Sequence, residues 1–162
     1  MQALTIVSVA ADRHVLLARS DGVVFGWGSS GSGQLGKPTG DLVTTVDVFG
    51  PVKVPLPGKV VQVAAGEQTS YALLDDGTVM AWGRGYEGEL GRGEDSRVTS
   101  MPEAQRVPGL ARVRRIAASF HTALAVMDDG SVIVTEIEAG RADERTLGLM
   151  MAGAAHPPAV SQ

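Results

Sequence analysis

The sequence predicts an all-β fold made of propeller blades, and three observations lead to that prediction. The chain repeats itself at an interval of 53 to 55 residues, so its 162 residues hold three copies of one unit. Each copy contains short apolar runs separated by turn residues, which are typical of β-strands. Glycine accounts for 21 of the 162 residues, about twice its average frequency, and this excess indicates many turns. Short strands recurring at such an interval favour propeller blades over a sandwich.

The repeat is defined by matching residues at nearly constant offsets. The offset is 53 between the second and third copies, and it is 54 between the first and second copies, rising to 55 after a one-residue deletion. The matches are Val54-Pro55 with Val107-Pro108, Asp75-Asp76-Gly77 with Asp128-Asp129-Gly130, Val9-Ala10-Ala11 with Val63-Ala64-Ala65, Trp27-Gly28 with Trp82-Gly83, and residues 33–36 with 88–91. We expect a single repeat region over residues 1–162, with copies at about 6–53, 54–106 and 107–160, the third diverging after residue 134.

The second copy shows the strand pattern most clearly. Residues 60–65, 71–74 and 79–82 are apolar runs too short for globular helices, and Asp76-Gly77 between the last two predicts a hairpin turn. Trp27 and Trp82 are expected to fill space between blades. The stretches 37–53 and 92–104 carry Gly, Pro, Ser, Thr and charged residues without periodicity, and they are predicted to be exposed loops.

Composition excludes several classes of function. The formal net charge of -4 argues against nucleic acid as a partner, because phosphate binding needs clustered Lys and Arg. The absence of cysteine removes disulfides and thiolate chemistry, and three histidines leave little for a metal site. No apolar run approaches the length of a membrane span, and residues 1–11 lack the features of a secretory signal. We expect an intracellular protein of the cytoplasm or nucleus, without membrane insertion.

The repeated residues resemble the repeats of the regulator of chromosome condensation, the RCC1-like repeats. The residues that carry the resemblance are Ala65-Gly66, Gln68-Thr69, Asp76-Gly77, Trp82-Gly83 and Gly88-Glu89-Leu90-Gly91. The resemblance implies a propeller of usually seven blades, each blade drawing strands from two adjacent repeats. Three repeats are fewer than the four or more blades of ordinary propellers, so we expect an incomplete propeller that additional chain, or a partner such as a second copy, closes.

Motifs that suggest an enzyme have structural interpretations. Residues 31–37 fit most of a phosphate-binding loop, but Pro38 follows Lys37 where Ser or Thr is needed, and the second copy keeps only the glycines. His14 and His121 are assigned to the repeat position of Gln68, which indicates a scaffolding role. Asp75, Asp76, Asp128 and Asp129 are expected to be exposed turn formers. We therefore predict no catalytic residue, no cofactor and no metal.

The candidate partner-binding residues lie in the third copy. Arg112, Arg114 and Arg115 form a basic cluster with Arg106, which either docks an acidic protein segment or supplies solvated charges at a strand edge. Residues 136–151 depart from the repeat, as either a binding segment or a degenerate cap. The candidates in that segment are Glu136, Glu138, Arg141, Asp143, Glu144 and Arg145.

Three functions remain open at this point. The first is a noncatalytic protein-interaction or scaffold module, part of a larger protein or assembly. The second, implied by the resemblance, is a guanine-nucleotide exchange factor that acts on a small GTPase. An enzyme or nucleotide binder that uses the glycine loop around Gly31 ranks last. The resemblance also includes plant ultraviolet-B photoreceptors, which use clustered tryptophans, whereas Trp27 and Trp82 are expected in different blades.

Overall fold

The computed structural model describes residues 3–36, 47–86, 88–91 and 100–135. Within these ranges the chain forms eleven β-strands and no helix. The strands are β1 Ile6–Ala11, β2 His14–Arg19, β3 Val24–Gly28, β4 Val48–Val54, β5 Val60–Ala65, β6 Thr69–Leu74, β7 Val79–Arg84, β8 Ser100–Arg106, β9 Val113–Ser119, β10 Thr122–Met127 and β11 Val132–Thr135.

The strands form three separate antiparallel sheets, each following chain order. Sheet 1 has the order β1-β2-β3-β4, sheet 2 the order β5-β6-β7-β8, and sheet 3 the order β9-β10-β11. Such a meander is the structure of a propeller blade. The prediction of an all-β, incomplete propeller is therefore confirmed.

Two segments predicted to be exposed loops are partly strands. The outer strands β4 and β8 occupy residues 48–54 and 100–106, so the loop prediction was wrong there. Pro51 and Pro102 interrupt the strand pattern in the sequence, because proline cannot donate a ladder hydrogen bond. Within the described ranges both residues lie in edge strands that pair with a single neighbour, where proline is tolerated.

Sheet 2 lies between the other two sheets and is buried on both faces. β5 packs against β1 and β2 of sheet 1, and β9 packs against β5 and β6. Side chains alternate along a strand, so Ala72 and Trp82 face sheet 1, whereas Tyr71 and Ala81 face sheet 3. Two apolar clusters result. The first contains Leu16, Ala18, Val24, Val54, Val60, Val63, Ala72, Leu74, Met80 and Trp82, and the second Ala64, Tyr71, Leu73, Val79, Ala81, Leu90, Val107, Val113, Ile116 and Ala125.

The Asp-Gly hairpins turn as the sequence predicts. Gly77 and Gly130 have φ angles of 81° and 85°, in the left-handed region that glycine adopts readily. The Asp76 carboxylate accepts a hydrogen bond from the Thr78 N–H at 2.8 Å. Hydrogen bonds from Thr78 to Asp76, and from Ser131 to Asp129, hold the pKa of each carboxyl below its usual range. The exposed aspartates of these hairpins are therefore turn formers.

Candidate functional site: a charged rim across three sheets

Charged side chains from all three sheets meet at one end of the strands, in a surface that we call the rim. It consists of Arg13, Glu67, Arg84, Tyr86, Glu89, Phe120 and His121. The turns between the first and second strands of the sheets supply Arg13, Glu67, Phe120 and His121. Arg84 is the last residue of β7, and Tyr86 and Glu89 follow it, so the meander topology brings these residues to the same end as those turns.

The rim charges form a continuous chain of contacts. Arg13 Nη2 of sheet 1 lies 2.5 Å from Glu67 Oε1 of sheet 2. The other Glu67 oxygen lies 3.5 Å from His121 Nε2 of sheet 3. His121 Nδ1 lies 3.8 Å from Glu89 Oε1, which is itself 3.5 Å from Arg84 Nε. The contacts therefore connect the three sheets through side chains.

The two carboxylates of the rim are buried and therefore need partners. Glu67 and Glu89 are both buried, and a buried carboxylate is stable only with cations or hydrogen-bond donors around it. The backbone carbonyl of Glu89 accepts a hydrogen bond from the Tyr71 hydroxyl at 2.7 Å. Burial and the Glu89 carboxylate raise the pKa of Tyr71 above its ordinary value, so this hydroxyl remains a donor.

Two exposed aromatic side chains flank the charges. Phe120 and Tyr86 are 60% and 64% exposed. The Phe120 ring lies 4.1 Å from the His121 ring, and the Arg84 guanidinium lies 5.6 Å from the centre of the Tyr86 ring. The Phe120 carbonyl accepts a hydrogen bond from the Glu67 N–H at 2.9 Å. Tyrosine and arginine are among the residue types that contribute most binding energy in protein interfaces, and phenylalanine is enriched there.

A polar network below the rim joins sheet 1 to sheet 2. The Gln34 carbonyl accepts hydrogen bonds from Ser70 Oγ at 2.6 Å and from Trp82 Nε1 at 2.8 Å. Ser70 Oγ also lies 2.7 Å from His14 Nε2. Because the single Ser70 proton goes to the carbonyl, His14 must donate from Nε2, and its Nδ1 is unprotonated. Burial lowers the pKa of His14 to about 4, against a smaller opposite effect of Asp12.

The strand register corrects one sequence assignment. His14 pairs with Gly28 as Thr69 pairs with Gly83, so His14 corresponds to Thr69 and not to Gln68. The residue that corresponds to Gln68 and His121 is Arg13. The deletion between the first two copies therefore lies before His14, and an offset of 55 already applies there. His14 still has a scaffolding position, as predicted.

The glycine loop at residues 31–36 is directed toward sheet 2. Gly33 and Gly36 adopt φ angles of 75° and 80°, and Leu35 is fully buried. The carbonyl of Gln34 binds Ser70 and Trp82, as described above. These contacts give the loop a structural role, in agreement with the interpretation of the repeat; Lys37 lies outside the described residues.

The predicted partner-binding residues are only partly described. Arg112 precedes β9, with a φ angle of 55° and its Nε 3.8 Å from Asp128 Oδ2. Arg114 and Arg115 are exposed on β9. Arg112 and Phe120 flank opposite ends of this strand, so the arginines lie away from the rim. The remaining candidates, Glu136, Glu138, Arg141, Asp143, Glu144 and Arg145, lie outside the described residues.

Sequence reasoning missed the rim, although a signal existed. Glu89 replaces Gln34 of the first copy, Arg84 replaces Ser29, and Glu67 replaces Phe120 of the third copy. These are departures from the repeat inside the copies, whereas the predicted departure lies at residues 136–151. Among the described residues, no group of three or more metal-ligating side chains occurs. The same ranges contain no helix that is long and apolar enough to cross a membrane.

The three packed meander sheets define a segment of a β-propeller. Models of the regulator of chromosome condensation (RCC1) repeat match residues 21–73, 76–126 and 60–89, and the chain belongs to this family. The matches at 21–73 and 76–126 each begin in the hairpin region of one sheet and end in the next sheet. Each of these family repeats therefore spans parts of two sheets.

Three comparisons with known sequences and structures illustrate the relationship. The ultraviolet-B receptor UVR8 of Arabidopsis thaliana is 39% identical over 101 residues, which cover 60% of this chain and 22% of the receptor. The guanine nucleotide exchange factor SRM1 of Saccharomyces cerevisiae is 29% identical over 153 residues, covering 89% of this chain and 30% of SRM1. The crystal structure of Prp20p from Saccharomyces cerevisiae superposes with a TM-score of 0.68 at 25% identity, covering 78% of this chain and 32% of Prp20p. The chain thus spans less than a third of the length of each.

Proposed function

We propose that this chain is a noncatalytic protein-interaction and scaffold module, and that the rim is its main partner-binding surface. The observation that carries the proposal is the contact chain from Arg13 through Glu67, His121 and Glu89 to Arg84. It ties the exposed Arg13 and the partly exposed Arg84 and His121 to three packed sheets, so that these side chains are held in place before a partner arrives. Such preorganisation reduces the entropy cost of association.

The chemistry of the rim favours a protein segment with an apolar side chain. Phe120 and Tyr86 offer apolar contact area at low conformational cost, and the exposed Arg13 side chain can pair with a partner carboxylate. The basic residues Arg112, Arg114 and Arg115 form a second proposed surface at the opposite end of β9, for an acidic segment. We also propose a role in partner binding for Glu136, Glu138, Arg141, Asp143, Glu144 and Arg145.

A paired variant tests the rim as a binding surface. The double substitution Phe120→Ala with Tyr86→Ala removes both exposed anchors, and Phe49→Ala removes a phenylalanine that is 97% exposed on β4. We expect wild type and Phe49→Ala to capture the same protein from cell extract. The affinity of the double variant for that protein should be at least tenfold lower, which corresponds to a loss of about 1.4 kcal/mol of binding free energy. Circular dichroism checks that all three chains fold. Equal capture by the three proteins would contradict the choice of the rim, and no specific capture by any of them would contradict an interaction module.

The second candidate function is guanine-nucleotide exchange on a small GTPase. The supporting observation is the match to the exchange factor SRM1 across 153 residues, together with the likeness to Prp20p, whose binding to Gsp1p and histones is described. Nucleotide release from a panel of purified small GTPases tests it. Accelerated release that requires the rim residues would support exchange activity, and unchanged release across the panel would exclude it.

The location and assembly of the chain form part of the same proposal. We propose that the chain is located in the cytoplasm or nucleus, and fractionation of cells that produce it tests this location. A second copy of the chain is the other partner that we propose, as the subunit that closes the propeller.

A further inference from the structure

Two sheet faces of this chain are exposed although their repeat equivalents are buried. Val9 and Ile6 on β1 are 60% and 52% exposed, whereas the corresponding Val63 and Val60 on β5 are 3% and 1% exposed. The difference arises because sheet 1 covers β5, while the equivalent face of sheet 1 has no sheet against it in the described chain. We call this the entry face, formed by Val9, Val15, Leu17, Phe25 and Trp27.

The opposite end of the stack has a matching exposed face. Leu124 and Val132 of sheet 3 are both more than a third exposed. Their side chains point away from sheet 2, since the alternate residues Ala125 and Ile133 belong to the cluster shared with sheet 2. We call this the exit face, formed by Thr122, Leu124, Val126, Val132 and Val134.

The two junctions inside the chain share a backbone contact at their hairpins. The Gly22 carbonyl accepts a hydrogen bond from the Val60 N–H at 3.3 Å, and the Gly77 carbonyl accepts one from the Val113 N–H at 3.1 Å. The equivalent residues at the ends of the stack are Gly130 and Ile6. A Cβ placed at Gly130 meets no atom of the described chain within 4 Å, whereas at Gly77 it would lie 2.9 Å from Arg112 Cα.

The junctions also share a contact between inner strands. Ser8 Oγ accepts a hydrogen bond from the Val63 N–H at 3.1 Å. The Gln62 side chain bonds both backbone groups of Ile116, at 2.7 Å to the carbonyl and 3.0 Å from the N–H. Arg115 occupies the position of Ser8 and Gln62 on the third inner strand, and Val9 occupies the position of Val63 and Ile116 on the first. Each terminal sheet therefore has the residues for one half of this junction.

We propose that two copies of the chain assemble head to tail, with the exit face of each copy on the entry face of the other. This inference rests on the proposed role as an assembly module, and it names the partner as a second copy. Arg115 of one copy donates to the Val9 carbonyl of the other, and the Gly130 carbonyl accepts from the Ile6 N–H. A two-fold axis makes both junctions identical and closes six sheets into a ring, within the four to eight blades that propellers use.

A second copy is the occupant that these observations favour, because one chain carries both halves of a junction that it already forms twice. The entry and exit faces are mostly apolar, and contiguous apolar sheet faces are normally covered. Cross-linking between copies tests the geometry directly, since the sequence contains no cysteine. Val9→Cys and Arg115→Cys place one thiol on each side of the proposed junction.

We expect light scattering of the full chain to give twice the 16.8 kDa mass of one chain. Val9→Asp should weaken dimer formation by at least about tenfold, because it places a carboxylate in an apolar interface, while Phe49→Ala should leave the dimer intact. Under mild oxidation a mixture of Val9→Cys and Arg115→Cys should form a covalent dimer, and either variant alone should not. A monomeric wild type, a dimer that survives Val9→Asp, or cross-linking of Val9→Cys with itself would each overturn the proposal.

The two proposals fail separately in these experiments. If the rim binds a partner and the chain is monomeric, capture depends on Phe120 and Tyr86 while the mass is that of one chain. If the dimer forms and the rim binds nothing, the cross-link appears while capture is the same for all variants. Val9 lies on the entry face and is not part of the rim, so Val9→Asp should not change capture by the folded chain.

Discussion

The junction between sheets 1 and 2 and the junction between sheets 2 and 3 use the same backbone contacts but different side chains. In the first junction Trp82 is completely buried, and its Nε1 donates to the Gln34 carbonyl at 2.8 Å. In the second junction the strand register places Thr135 at the position of Trp82, and Ala123 at the position of Ser70. A pocket of about 30 Å³ lies between sheets 2 and 3, lined by residues that include Tyr71, Glu89, Ala123 and Ile133.

The difference shows how the repeat separates packing from surface chemistry. In the first junction the backbone carbonyl of Gln34 faces sheet 2, and the buried Trp82 side chain packs between the two sheets. In the second junction Glu89 replaces Gln34, and its carboxylate lies near His121 of sheet 3. The junction without the tryptophan is thus the one that carries both rim contacts of His121, whereas the first junction carries the Arg13–Glu67 contact. Stability should therefore depend mostly on the first junction, and binding should depend mostly on the second.

The largest expected effect on stability comes from removing the Trp82 side chain. Trp82→Ala should lower the free energy of unfolding by about 3 to 5 kcal/mol, because it leaves a cavity between sheets 1 and 2 and removes a donor to a buried carbonyl. Trp82→Phe keeps most of the volume and should cost less. The measurement is urea denaturation at equal protein concentration, with the exposed Phe49→Ala as the control. A loss for Trp82→Ala as small as that for Phe49→Ala would show that the first junction does not dominate stability.

A second effect of the first junction is sensitivity to acid. The unfolded chain protonates His14 near pH 6.5, whereas the folded chain resists protonation until its pKa of about 4. The unfolded state therefore binds more protons between these values, and stability falls as the pH decreases through this window. A shift of this size corresponds to about 3 kcal/mol, present in full above pH 6.5 and lost by about pH 4.

His14→Gln tests the origin of that acid sensitivity. Glutamine retains a donor that can reach Ser70 and does not titrate, so the difference in stability between wild type and variant isolates His14 from the carboxylates. We expect the wild type to lose more stability than His14→Gln between pH 6.5 and 4, as measured by urea midpoints. Parallel pH profiles of the two proteins would contradict a buried neutral histidine at this junction.

The two junctions also show what the sequence could predict. Constant offsets and Asp-Gly turns predicted three sheets of short strands, and Trp82 was expected to fill a space between blades. Trp27 has the same local sequence but lies on the entry face, because burial depends on what packs against the sheet. The outer strands were not predicted, because the prolines Pro51 and Pro102 are typical of loops and are tolerated only in edge strands. The rim was missed because its contacts join residues such as Glu67 and His121, which the fold alone brings together.

The smallest expected effect compares equivalent glycines at a packed junction and at the open end of the stack. Gly77 and Gly130 have nearly equal φ angles of 81° and 85°, so alanine at either position pays the same left-handed penalty, about 1 kcal/mol. At Gly77 the added Cβ would also lie 2.9 Å from Arg112 Cα and 3.1 Å from the Val113 nitrogen, which requires the backbone of sheet 3 to shift. Gly77→Ala should therefore cost about 1 to 2 kcal/mol more than Gly130→Ala, measured by urea denaturation of dilute protein. Equal losses would mean that the hairpin of sheet 2 does not pack tightly on sheet 3. A loss for Gly130→Ala that grows with protein concentration would instead place a second copy against that hairpin, because only an occupied exit face brings atoms near the added methyl group.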